Sequence, residues 1–439
     1  MQLVAGSRAG GLLAGARRSL GSNLVLLGNT AAISLGTALT AVSGFAYWWV
    51  AARSFTPEAV GTASALVSVI GLIGLFGECG LGTLLLGAAL GTRQGLGLIG
   101  AAMAASLAAS ALLGAGYVAL GEHWPAINHG LEGFGANDLL LVAGCALTGL
   151  TLLTDQSLIA QLRGRLQLLR NVTSALTKLA ALLLLALWMP GADGTRLLLL
   201  AWVGGMSLAL ATVGLAARRS GLAVVGRPDF GLLARQLPRV VDHHALNLAA
   251  QAPTIIFPFL IAVLFSPAVN AAFYPAWAMV HAASLFTAAL TMVLYRIGTN
   301  EPQRLRERLG FSLALSCGFA LAVGGGLFVL SGPILAFFNP DYPAIAGPGL
   351  ALLGFGLVSL AIRQHYLALM RLRGRMRASS VHFAAWSVLE IACACAGGLD
   401  AGLRGFVLGW LLSLSLQAAT MLRPLIAASD LPGRRGRGA

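Results

Sequence analysis

The stretch TASALVSVIGLIGLFGECGLGTLLLGA (residues 62–88) carries a single charged side chain, Glu78. At about 1.5 Å of rise per helical residue, roughly 20 apolar residues cross a hydrocarbon core about 30 Å thick, so this stretch is read as a membrane span. Runs of the same kind recur along nearly the whole chain. Twelve are predicted, at about 24–52, 62–88, 96–120, 138–158, 172–190, 197–217, 245–264, 271–295, 311–331, 350–370, 378–396 and 403–425. The connections between them are short, the longest being about 121–137 and 218–244, so function must sit within the helical bundle.

Composition agrees. Of 439 residues, 57% are hydrophobic and 10% charged, where a soluble domain carries about 25% charged residues. The fold class is therefore all-α, a polytopic membrane protein. If both termini face the cytoplasm, 24 of the 29 Lys and Arg fall on that side. This asymmetry is what the positive-inside rule expects of an even number of spans. The net charge of +14 is then explained by short juxtamembrane loops facing anionic headgroups of the membrane lipids, and no nucleic acid is needed as a partner. Residues 1–23 read as a basic cytoplasmic leader, 218–244 as a cytoplasmic linker between halves, and 426–439 as a basic tail.

Two segments echo each other across the halves 24–217 and 245–425. FTPEAVGTASALVSV (55–69) joins the first span to the second, and FSPAVNAAFYPAWAMV (265–280) joins the seventh to the eighth. A third, FFNPDYPAIAGPG (337–349), joins spans nine and ten. All would lie on the outer face, a pattern that fits two six-helix halves in the same orientation. The 56 glycines suit a lipid-embedded bundle, where small residues let backbones approach. Pro253, Pro258 and Pro275 are expected to kink spans seven and eight, because each removes a backbone donor.

Several chemistries find no support in the residues. The only lysine is Lys178, so there is no phosphate-binding loop ending in Gly-Lys-Ser/Thr. No His-Glu-x-x-His or paired-Cys metal site occurs, and Cys79, Cys145, Cys317, Cys393 and Cys395 read as packing residues. The chain is read as a non-enzyme with no cofactor and no metal.

The first two spans, NTAAISLGTALTAVSGFAYWWVAARSFTPEAVGTASALVSVIGLIGLFGECGLGTLLL, resemble the opening of the polysaccharide-export flippases. Ala52-Arg53, Pro57-Glu58, Gly61, and Glu78 before Gly80-Leu81-Gly82 stand at the matching places. ALNLAAQAPTIIFPFLIAVLFSPAVNAAFYPAWAMV, with Asn247, Pro253 and Pro258, is similar to that family's seventh and eighth spans, and LAFFNPDYPAI and YLALMRLRGRMR also fit. The resemblance is to O-antigen flippase-like members of the multidrug, oligosaccharidyl-lipid and polysaccharide exporter superfamily. It implies two six-helix lobes around a central cavity, alternating access, and translocation of a polyprenyl-phosphate-linked oligosaccharide across the inner membrane. A polysaccharide polymerase and glycosyltransferases would be its working partners. Asp242-His243-His244 departs from the charge usual at the start of span seven.

Charges inside the spans are the candidate site. Arg363 either snorkels to headgroups, pairs with an acid such as Glu78, or faces a wet lumen and binds the carrier's phosphate. Lys178, expected at comparable depth in the other lobe, would join it as a second phosphate-binding cation. Glu390 lies near mid-depth in span eleven, as a protonated packing residue or a coupling group. His365, His281 and Glu78 are further lumen or coupling candidates, and Tyr274 and Trp277 are candidates for a sugar path. A drug or cation antiporter of the same superfamily would instead use Glu390 as its acidic lumen group. A multispan glycosyltransferase or polymerase would want catalytic carboxylates on a long outer loop, where 121–137 offers only Glu122 and Glu132.

Overall fold

A computed structural model describes residues 35–36, 38–87, 92–123, 136–189, 191–237, 241–300 and 305–428. The expected leader, most of 121–137 and the tail from residue 429 lie outside the described residues. The described residues are helical, with no strand among them. Ten of the helices are long and apolar enough to cross a membrane.

In chain order the helices are α1 (38–54), α2 (Pro57–Glu78), the short α3 (Leu81–Gly87), α4 (Arg93–His123), α5 (Ala136–Ala160), α6 (Gly164–Trp188) and α7 (Gly194–Arg219). After α8 (Phe230–Gln236) come α9 (Val241–Leu264), α10 (Pro267–Asn300), α11 (Leu305–Phe338), α12 (Tyr342–Ala346), a 3₁₀ stretch (Gly347–Phe355), α13 (Gly356–Leu372) and α14 (Met376–Ala428). Inside α14 the backbone leaves helical geometry at Ala401 and Gly402, where Gly402 has φ 62°, so two spans follow one another there.

Two of the boundaries that differ from the sequence reading do so for a clear local reason. The second span does not continue to residue 88. Cys79 (φ 52°) and Gly80 (φ 73°) turn left-handed, and the Glu78 carboxylate accepts the amides of Gly80, at 3.0 Å, and Gly82, so α3 starts afresh. The tenth span begins as a nine-residue 3₁₀ helix rather than α-helix. Gly354 and Gly324 of α11 touch there through bare backbone, and a Cβ on Gly356 would strike Trp410 at 2.2 Å.

The three echoing turns share one construction. Each sets a Phe before a capping residue and a proline, Phe55-Thr56-Pro57, Phe265-Ser266-Pro267 and Phe338-Asn339-Pro340; Pro57 and Pro267 open α2 and α10, while Pro340 stands in the turn before α12. The Thr56 hydroxyl accepts the Ala59 amide, the Ser266 hydroxyl that of Val269, and the Asn339 side chain that of Asp341. Proline suits the first helical turn because the missing donor would be unused there.

These turns are also where the two halves meet. The α2 helix packs on α4, α5 and α7 of its own half and on α9 and α10 of the other. The buried Asn270 amide donates to the Gly61 carbonyl and the Ser64 hydroxyl, both at 2.8 Å. Asn339 donates to the Ala52 carbonyl at 2.9 Å, while Arg53 and Trp49 both donate to the Phe337 carbonyl. A Cβ on Gly61 would lie 1.6 Å from the Pro267 carbonyl oxygen, so only glycine permits this approach. Overpacking of this kind costs on the order of 1–3 kcal/mol, and Gly61→Ala is expected to lower the thermal stability of the detergent-solubilised protein accordingly. Gly44, which has nothing within 4 Å of a would-be Cβ, provides the control: Gly44→Ala should leave the unfolding temperature unchanged or slightly raised.

Candidate functional site

The charged groups within the bundle form two clusters, one in each half. In the first, α5 and α6 run as neighbours joined by a tight turn at Leu162 (φ 55°). This places Asp155 beside Arg170. Arg170 Nε donates to Asp155 Oδ1 at 2.6 Å and Nη2 to Oδ2 at 2.7 Å, a bidentate pair, and Arg170 also donates to Asn171 Oδ1. The sequence reading put Arg170 in a cytoplasmic segment. The helix in fact begins at Gly164, and Arg170 lies inside it.

Lys178 lies two turns further along α6. Its Nζ sits 3.5 Å from the centre of the Trp202 ring on α7, a cation–π contact that a desolvated ammonium gains from. Among the described residues Lys178 has no carboxylate partner. Measured from the Gly164 end of α6, it stands about 21 Å along the axis, and Arg363 about 14 Å from the Leu372 end of α13. Counted along its own helix, Lys178 thus lies further from the helix end than Arg363 does, because α6 starts earlier than its hydropathy suggested.

The second cluster joins α13 to both segments of α14 and to α9. Arg363 Nη1 donates to Glu390 Oε2 at 3.2 Å and Nη2 to the Ala250 carbonyl at 3.3 Å. Trp410 Nε1 donates to Glu390 Oε1 at 2.8 Å. The side chains of Arg363 and Glu390 are 9% and 3% exposed. Of the alternatives for Arg363, the structure thus pairs it with an acid, though with Glu390 rather than Glu78. His281, on the neighbouring α10, has an exposed side chain and lies within electrostatic reach of the guanidinium.

The remaining candidates are placed as follows. His365 is fully buried; its Nδ1 donates to the Ala361 carbonyl, and its Nε2 accepts from the Ser312 hydroxyl, both at 2.8 Å. Glu78 accepts the backbone amides at the α2–α3 break and lies 3.9 Å from His244 of the other half. Trp277 is buried, its Nε1 donating to the Thr254 carbonyl at 2.8 Å. Tyr274 meets Trp48 of the first half at 4.7 Å between ring centres, and Trp48 in turn meets Trp202. An aromatic chain therefore runs from Lys178 across the lobe boundary to α10. A second one runs from Trp277 to Trp410, 5.0 Å apart, and so to Glu390. Among the described residues, no group of three or more His, Cys, Asp or Glu is placed to hold a metal ion.

Sequence reasoning takes Asp155 for a boundary residue, sets Asn171 aside, and passes over Asn270 and Trp410. Trp410 did carry a signal, since an indole far from the ends of an apolar run needs a buried acceptor for its N–H.

No family model matches the chain, and no curated protein matches it. Solved structures do. The inward-facing conformation of a multidrug resistance MATE family transporter of the MOP superfamily superposes with a TM-score of 0.67 at 15% identity, covering 90% of this chain and 96% of that one. The lipid II flippase MurJ in an inward closed conformation gives 0.70 at 15% identity, covering 90% and 87%. The Vibrio cholerae MATE transporter VcmN gives 0.62 at 15% identity, covering 92% and 96%. The fold is the one these transporters and this flippase share, two helical lobes of a polytopic membrane protein.

The Arg170–Asp155 clamp is expected to behave as a structural pair. Arg170→Met alone would leave Asp155 uncompensated and cost about 3–5 kcal/mol. Arg170→Met combined with Asp155→Leu should recover most of that loss, and thermal unfolding of the purified single and double variants measures both.

Proposed function

We propose that this chain is an inner-membrane flippase that moves a polyprenyl-phosphate-linked oligosaccharide from the cytoplasmic to the outer leaflet by alternating access of its two lobes. Surface polysaccharide synthesis is the process it serves, with a polymerase and glycosyltransferases as neighbours in the pathway. The fold it shares with MATE transporters and with the lipid II flippase MurJ supports transport through the bundle.

One observation carries the choice of cargo. Asp155 and Glu390 each have a guanidinium partner, whereas Lys178 has no carboxylate partner among the described residues. Lys178 is thus a cation with no acid beside it, and an unmatched intramembrane cation is satisfied by an anionic cargo. A cation antiporter would instead use a free acid, and the acid at the end of α2, Glu78, is held by backbone amides and lies 3.9 Å from His244. A phosphate headgroup on Lys178, with the polyprenyl tail remaining in the bilayer, meets the charge requirement at the smallest desolvation cost.

The test is cellular complementation at matched protein levels, scoring surface polymer and the leaflet in which lipid-linked precursor accumulates. Lys178→Ala is expected to reduce polymer about tenfold or more, the loss of roughly 1.4 kcal/mol or more of charge-assisted binding, and to trap precursor on the cytoplasmic side. Lys178→Arg should retain partial export. Wild-type export from Lys178→Ala would refute the assignment of the phosphate to this residue.

A further inference from the structure

The two ion pairs of this protein are built differently, and the difference points to a site. Arg170 meets Asp155 through two parallel bonds of 2.6 and 2.7 Å and donates a third to Asn171, the fork geometry of a strong guanidinium–carboxylate pair. Arg363 meets Glu390 through one contact at 3.2 Å, and its other partner among the described residues is the Ala250 carbonyl at 3.3 Å. A guanidinium has five N–H donors. Among the described residues Arg363 therefore keeps donors free for a ligand, while its side chain is 9% exposed. Glu390 for its part makes its shorter bond elsewhere, to Trp410 at 2.8 Å. His281 on the neighbouring α10 is exposed and lies within electrostatic reach of Arg363.

We infer that Arg363 is a second anion site for a phosphate group, held in this conformation by Glu390 as a tethered competitor, with the exposed His281 within electrostatic reach. Resting on the reading of the cargo as a phosphorylated lipid, it adds a station in the second lobe to the one at Lys178. When phosphate arrives, Arg363 exchanges a single long contact for a bidentate one. Glu390 remains bonded to the Trp410 indole but loses part of its counter-charge, and that loss is what the arriving anion must outweigh. The pair thereby keeps an empty transporter from holding a buried unpaired cation, and it sets the threshold an anion must exceed to bind.

This arrangement predicts a gain on removing a charge, which a purely structural pair does not. Glu390→Gln preserves side-chain volume and an acceptor for Trp410 but removes the competing charge. The purified full chain is placed in zwitterionic nanodiscs, and binding of undecaprenyl monophosphate and of inorganic pyrophosphate is titrated calorimetrically, with folding checked by thermal unfolding. Glu390→Gln is expected to tighten binding about tenfold, the factor for a site that is free about one-tenth of the time in the wild type. Glu390→Gln with Arg363→Gln should lose that gain entirely.

The two probes separate the sources of phosphate. Tighter pyrophosphate binding without any lipid-phosphate binding would uphold the Arg363 site and sink the lipid-linked cargo. Lipid-phosphate binding that is lost in Lys178→Ala but equal in wild type and folded Glu390→Gln would uphold the cargo and overturn the competitor. Binding of neither probe to any variant would overturn the site as well.

Discussion

Helices that meet inside a bilayer gain little from leaving lipid, so their association depends on how closely their backbones can approach. In this protein the decisive approach is at Gly61, whose bare Cα admits the Pro267 carbonyl of the opposite half. That proximity is what allows the Asn270 amide to reach the Gly61 carbonyl and the Ser64 hydroxyl. The same device recurs at lower rank within the second half, at Gly324 against Gly354 and at Gly397 against Gly405. The polar bonds between the Phe-x-Pro turns then tie the halves at one end of the bundle.

Charges inside such a frame are governed by desolvation, and the bundle deals with them in four ways. Asp155 and Arg170 neutralise each other in a bidentate fork, and Glu78 takes backbone amides at the α2–α3 break. Lys178 rests on the π face of Trp202. Arg363 has a counter-charge yet not a full set of partners. Each solution draws on residues from different helices, so any rearrangement of the lobes acts on the charges as well. The aromatic chain from Trp202 through Trp48 to Tyr274 crosses the boundary between halves, and it supplies a stiff connection between the Lys178 cluster and α10.

Much of the architecture was legible along the chain because apolar length alone specifies a membrane span. The spans, the paired halves and the Phe-x-Pro turns could be read in this way, since caps and prolines act on their immediate neighbours. Boundaries were less legible. Gly347–Phe355 is as apolar as any α-helical run, and only its glycine contacts with α11 and Trp410 accompany its 3₁₀ form. Arg170 counted as a loop residue because hydropathy falls where charge rises, yet the helix extends through it once Asp155 is near to pair with it.

The sequence by itself singled out Arg363, Lys178 and Glu390 as expensive residues, because the cost of a charge in an apolar run depends on composition and depth alone. It could not say which charge answers which, since Arg363 and Glu390 lie on different helices and Trp410 on a third segment. Pairing is a matter of distance and direction across helices, and it enters the energy only when the bundle has closed. The tertiary structure alone therefore decided that Asp155 is paired with Arg170, that Glu390 is shared between Arg363 and Trp410, and that Lys178 is left facing an aromatic ring.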